Sequence, residues 1–226
     1  MYAPQILTAP ITPIPADSVP DGSSQSIWEW GYDGVEVGIW ECSPCDTASP
    51  PGDFDEAMVM VAGRATIDHD DGAFDLAPGT VWVTPRQWPS TWHVHQTIRK
   101  MYVIDHRPGG KAPAGYLANA HHMALESPTP RADALDGHPM EASASLWNHN
   151  GIDVGVWEAT PGSFTAKRDG YDEVFVGLSG TATLTCTDGM RFDLGPGSVL
   201  FTPAGFQGRW DVSATFRKAY VIIRRA

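Results

Sequence analysis

One block of this chain occurs twice, and the repeat limits the fold more than any other feature. Gly34-Val-Glu-Val-Gly-Ile-Trp-Glu41 returns as Gly151-Ile-Asp-Val-Gly-Val-Trp-Glu158. Asp55-Glu56 returns as Asp172-Glu173, and Gly63-Arg-Ala-Thr66 as Gly180-Thr-Ala-Thr183, all at an offset of 117. After Asp188-Gly189 one inserted residue moves the offset to 118. Phe74-Asp-Leu-Ala-Pro-Gly79 then pairs with Phe192-Asp-Leu-Gly-Pro-Gly197, and Thr84-Pro85 with Thr202-Pro203. Trp92 pairs with Trp210, and Arg99-Lys-Met-Tyr-Val-Ile104 with Arg217-Lys-Ala-Tyr-Val-Ile222. The slip falls beside Asp-Gly, a strong hairpin-turn signal, where an insertion disturbs packing least. The repeat implies two copies of one domain in tandem.

Each copy alternates short β-rich runs with turns. Val35–Trp40, Ala57–Val61, Ala65–Ile67, Val81–Thr84 and Met101–Ile104 suit strands, separated by Asp-Asp-Gly, Ala-Pro-Gly and Thr-Pro. With 23 Gly and 19 Pro and no helical periodicity over three turns, each copy reads as about eight strands closed into a barrel or sandwich. The expected divisions are an N-terminal arm (1–26), domain 1 (27–105), a connector (106–145) and domain 2 (146–226). The Pro-rich arm is expected to lie across the outside of a barrel. A short helix is expected in the connector near Leu117–Leu125. The formal charge is −12, which disfavours nucleic acid and anionic membranes as partners. No apolar run approaches the roughly 20 residues of a membrane span. Met1–Pro20 lacks the basic start of a signal peptide, and three cysteines do not make a disulfide framework, so a cytoplasmic setting is expected.

Two spacings make the fold specific. Glu56 followed by Gly63 resembles the second half of the first cupin motif, and Gly79 followed by Pro85 resembles the start of the second. Glu173…Gly180 and Gly197…Pro203 repeat both. The chain is thus similar to two-domain cupins of the RmlC-like superfamily. It resembles the subfamily that includes the ethanolamine-utilisation cupin and (S)-ureidoglycine aminohydrolase. That resemblance implies an all-β fold of two tandem jelly-roll-like barrels. It says little about activity, because cupins host many chemistries.

The resemblance also implies where a metal would be held: three His and the motif Glu. Here the segments before Glu56 (Ser49–Asp55) and Glu173 (Ala166–Asp172) hold no histidine, and Ser90 and Gly208 stand near the third position. A lone carboxylate cannot hold a transition metal, so neither a metal nor another cofactor is expected. His93 and His95 alternate with Trp92 and Val94; if Ser90 faces inward, Trp92 does too and both histidines point out. Cys42-Ser-Pro-Cys45 has redox or half-zinc spacing, but no second pair accompanies it. The bland reading is two free thiols in a strand-end turn.

The polar and aromatic residues kept in both copies are the candidates for chemistry. Glu56, Lys100 and Tyr102, with Glu173, Lys218 and Tyr220, form the acid–base set. Trp40, Trp92, Trp157 and Trp210 form the binding walls. Lys and Tyr two apart share a strand face, and a lysine inside a barrel needs a carboxylate partner. Such a pair among indoles would grip a small polar metabolite, with acid–base chemistry open to it. Met58, Met60, Trp82 and Trp88 suggest a roomier cavity in the first copy. Two other readings stand beside this one: a metal-dependent aminohydrolase-type enzyme with unusual ligands, and a non-catalytic oligomerisation or regulatory cupin. A homodimer through sheet edges is the assembly expected by analogy.

Overall fold

In a computed structural model, residues 5–8, 24–110, 112 and 114–224 are described. Most of the N-terminal arm lies outside them. The described residues contain strands and turns and no helix. They fall into two compact units, residues 24–119 and residues 5–8 with 120–224.

The chain opens with β1 (Gln5–Thr8), which belongs to the second unit. The first unit comprises β2 (Ser24–Tyr32), β3 (Val35–Cys42), β4 (Cys45–Ser49), β5 (Asp55–His69), β6 (Gly72–Leu76), β7 (Thr80–Thr84), β8 (Ser90–Asp105) and β9 (Tyr116–Asn119). They pair in the order β2-β3-β8-β5-β7-β9, with β4 on β8 and β6 on β5. The second unit adds β10 (Thr129–Pro130), β11 (Ala134–Asp136), β12 (Met140–His149), β13 (Ile152–Ala159), β14 (Gly162–Lys167), β15 (Tyr171–Cys186), β16 (Arg191–Leu194), β17 (Val199–Thr202) and β18 (Gln207–Arg224). Its order is β1-β17-β15-β18-β13-β12-β10, with β14 pairing β11 and β18 and β16 pairing β15. The topology repeats as the sequence does, and the fold is a tandem cupin of all-β class.

Two expectations are corrected. Tyr116–Asn119 is a strand on the edge of β7 rather than the start of a helix, and 120–125 is turn and irregular chain. An open sheet edge supplies backbone partners that a four-residue helical turn cannot match. The runs Ala57–Val61 and Ala65–Ile67 are also one strand, β5, broken by register shifts around Gly63. Gly63 sits at φ 82°, and a Cβ there would run into the Thr97 carbonyl; Gly180 repeats this at φ 76° against Thr215. The motif glycine is therefore the bulge that bends a long strand across the barrel.

Each unit has its own apolar core. Met58, Met60, Ile67, Trp82, Trp92 and Ile98 are buried together in the first. Phe164, Phe175, Leu184, Leu200, Trp210 and Phe216 are buried together in the second. The repeated Asp55 and Asp172 are buried and structural. Asp55 accepts the backbone N–H of Arg86 at 2.8 Å, and Asp172 that of Ala204 at 2.6 Å, tying the turn after β7 or β17 to the start of β5 or β15.

Candidate functional site

In the first barrel, Trp40 on β3 lies opposite Lys100 on β8, and Glu56 enters from β5. Lys100 is 8% exposed and donates to Glu56 Oε1 at 2.7 Å. Its Nζ stands 5.1 Å from the Trp40 ring centre and 5.0 Å from that of Trp92, within cation–π range. These four residues line a cavity of about 270 Å³ with Met58, Trp82, Trp88, Thr84 and Ser90. A second hollow of about 310 Å³ shares Trp40, Glu56 and Lys100 and adds Tyr102, Glu29 and Glu36. The Tyr102 hydroxyl donates to Glu29 Oε2 at 3.3 Å. Burial, reinforced by the Glu29 charge, pushes that phenol above its usual pKa.

The second barrel repeats the arrangement with one addition. Lys218 (4% exposed) donates to Glu173 Oε1 and stands 5.0 Å from the Trp157 centre and 4.5 Å from Phe175. Arg168, in the turn between β14 and β15, donates to the same Glu173 oxygen at 2.7 Å. Its Nε donates to Thr202 Oγ1 at 3.0 Å and its Nη1 to the Lys167 carbonyl at 3.0 Å. Burial works against the Glu173 carboxylate, but Arg168 and Lys218 outweigh it and hold the pKa below the usual range. Burial pushes Lys218 down to about 8, and pushes the Tyr220 phenol up. Trp157, Trp210, Tyr220, Phe164, Tyr171 and Arg131 complete a cavity of about 250 Å³. Arg131 is held by Asp133 and Glu141. The cavities holding the two Lys–Glu pairs differ little in size, and the first barrel has the adjoining hollow besides.

All ten candidate residues therefore lie around cavities of their own barrels. Sequence reading missed Arg168, whose repeat position holds Pro51, so it carried no duplication signal. It also missed Gly38 and Gly155, which face Tyr102 and Tyr220 across β3–β8 and β13–β18. The repeated Arg99 and Arg217 pair with Glu41 and Glu158 on the adjacent strand, clear of both cavities.

The remaining histidines and cysteines stand apart. Ser90 and Trp92 line the cavity while His93 and His95 face outward. His93 is bracketed by Asp46 at 2.8 Å and Asp68 at 3.1 Å, and these bonds raise its pKa. His69 stacks on Trp88. Cys42 and Cys45 are free thiols 3.5 Å apart, and burial and the neighbouring thiol push Cys42 up to about 12. Among the described residues, no three His, Cys, Asp or Glu side chains converge where they could hold a metal ion. The two motif glutamates already serve ammonium groups. The donor set does not fit the metal centre of metal-dependent cupins.

Solved structures share the whole architecture at low identity. A protein of unknown function from Pseudomonas syringae pv. tomato matches at TM-score 0.75 and 18% identity, over 96% of this chain and 92% of that one. The putative glyoxylate-induced protein of Pseudomonas aeruginosa matches at TM-score 0.66 and 14% identity, over 92% and 84%. Salicylate 1,2-dioxygenase from Pseudoaminobacter salicylatoxidans, solved with gentisate, matches at TM-score 0.64 and 12% identity, over 84% and 68%. No curated protein sequence matches the chain. The EutQ-like cupin domain matches twice, over residues 32–102 and 149–220, one match on each barrel, and the chain belongs to that family as a tandem cupin.

Proposed function

We propose that this tandem cupin binds small polar organic molecules inside its barrels without a metal, and that the Lys–Glu pairs are the polar grip. One observation carries the reading. In both barrels a buried lysine meets the motif glutamate within about 5 Å of aromatic ring centres, beside a cavity of about 250–270 Å³. A barrel needing only a core would fill that space with aliphatic side chains, since burying an ion pair gains little over a hydrophobic pair. Ligand pockets characteristically combine apolar walls with a few converging polar groups.

The arrangement also suits proton transfer. An ammonium whose pKa lies near 8 can give up a proton to a bound ligand and regain it close to neutrality, while the adjoining carboxylate stays ionised and holds it in place. The metal-dependent reading has no donor set to support it.

The test is thermal shift of the full chain against a broad panel of small polar metabolites, repeated with Lys100→Met and Lys218→Met. A bound ligand at a hundredfold excess over Kd should stabilise by about 2.7 kcal/mol. The expected result is a hit that one lysine variant weakens at least tenfold. If no compound shifts the protein, the scaffold reading wins. If hits survive both substitutions, the grip lies elsewhere.

A further inference from the structure

A buried lysine that meets a single carboxylate cannot lose its proton without leaving that carboxylate uncompensated. The first barrel is built that way. Lys100 meets Glu56, the position equivalent to Arg168 holds Pro51, and the adjoining hollow adds two more carboxylates, Glu29 and Glu36. An unpaired buried charge is strongly disfavoured, so each partner there keeps the other ionised. In the second barrel Glu173 Oε1 accepts from both Arg168 and Lys218, and all three side chains are 6% exposed or less. When Lys218 releases its proton, Arg168 and Glu173 remain as a complete ion pair. Arg168 is fixed in that role by Thr202 Oγ1, the Lys167 carbonyl and the Tyr171 hydroxyl, and a guanidinium stays charged throughout the working pH range.

The other charged groups around the amine do not reverse this. Arg131 lines the same cavity and is held by Asp133 and Glu141. Loss of water is the largest influence on Lys218 and opposes its charge, as does Arg168, while Glu173 and Glu141 favour it. Desolvation in an apolar pocket and a second cation alongside are the two conditions that turn a lysine into a nucleophile. Lys218 meets both, and it lines the cavity of about 250 Å³ together with Trp157, Trp210 and Phe164. A dry cavity of about 150 Å³ admits benzene, so this one has room for one ring and its substituent.

We infer that the second barrel's cavity takes a small aldehyde or ketone, and that Lys218 binds it covalently as an imine. This deepens the cavity-binding reading above and rests on it. The neutral Nζ attacks the carbonyl carbon, a C–N bond forms, and the electron pair of the C=O bond moves to oxygen. Both amine protons then leave with that oxygen as water, and the C=N bond forms. Atoms balance without an oxidant, a reductant or a further reactant. Arg168 is a positioning residue: it holds Glu173 and so frees the amine.

Reductive trapping on the full chain tests this, with benzaldehyde and sodium cyanoborohydride at pH 7 and peptide mass spectrometry to find which lysines carry a benzyl group. Lys218 should be labelled at least tenfold faster than Lys100, although both are buried against a glutamate and indoles. With Nα-acetyl-lysine in the same tube, the ratio of the Lys218 rate to this reference should be flat up to about pH 8. Above that it should fall about tenfold per pH unit, because the reference amine goes on losing protons up to about pH 10.4. Arg168→Gln should slow Lys218 at least tenfold at pH 7 and extend the flat region to higher pH. Arg168→Lys should restore part of the rate, and Lys100 should change in neither variant. If Lys218 is labelled no faster than Lys100, the imine assignment fails, while a hit from the metabolite panel leaves the cavity-binding reading standing. If Arg168→Gln alters neither the rate nor the pH profile, Arg168 is not what frees the amine. The comparison of the two lysines in the unaltered protein needs no variant to fold.

Discussion

A lysine held between aromatic rings answers to two opposed forces. Leaving water disfavours the Lys218 ammonium, and Arg168 adds repulsion, while Glu173 favours it; the balance falls at about 8. An unfolded lysine keeps its proton to about 10.4. Between those values the unfolded chain binds more protons than the folded one, so stability rises with pH. Below about 8 the cost of the buried charge is present in full. The Glu173 carboxyl, held below its usual range, behaves oppositely: its stabilisation is present at neutral pH and is lost in acid. Urea unfolding of the wild type and Lys218→Met from pH 6 to pH 10 should expose the lysine. The difference between them should be flat below pH 8 and then move in favour of the wild type, by up to about 1 kcal/mol per pH unit. A difference that stays flat throughout would mean an ammonium in contact with bulk water. At this scale the duplication made Lys100, Lys218 and the two motif glutamates legible. Arg168 was not legible, because a residue present in one copy has no echo to stand out by.

At the scale of the strand, the repeated Val-Gly-Ile/Val-Trp run shows what a sequence pattern hides. Its glycine looks like a weak point in a strand, yet a Cβ on Gly38 would run into the Tyr102 ring, and one on Gly155 into that of Tyr220. The glycine is the space the phenol occupies. Nothing in the sequence joins residues 38 and 102 until β3 and β8 are paired in register, so the partnership was illegible although both members were visibly repeated. The same holds for Gly63, whose bend merges two predicted short strands into β5. A double-mutant cycle tests the Gly38–Tyr102 fit. Gly38→Ala alone should destabilise the first barrel by about 1–3 kcal/mol, as overpacking does. In a Tyr102→Ala background it should cost little, giving a coupling of at least about 1 kcal/mol. Additive effects would show that the ring has room to move aside.

At the scale of the molecule, the connector and the N-terminal arm looked like packaging around two barrels, but both supply strands. β7 and β17 occupy equivalent places in the repeat, and in each the far edge is taken by a strand from outside the repeated block. Residues 116–119 cover β7, pairing Thr80 with Asn119 through Val83 with Tyr116. Gln5–Thr8 cover β17, pairing Gln5 with Phe201 and Ile6 with Leu200. The repeat therefore specifies a sheet with one open edge, and unrelated sequence closes it twice. Pro-rich, aperiodic segments gave no sign of this, because an edge strand is chosen by the backbone groups waiting for it rather than by its own pattern. Deleting residues 1–8 should thus act on the second barrel alone. Each net backbone hydrogen bond contributes about 1 kcal/mol, so losing the few that β1 supplies should cost about 1–3 kcal/mol. In hydrogen exchange, the β17 amides that point at β1 should lose protection while those that point at β15, and those of β3, keep theirs. The uncovered edge should also raise the tendency of the chain to self-associate, which light scattering reads. If β17 stays as protected in the truncated protein as in the whole one, the N-terminal strand does not close that edge.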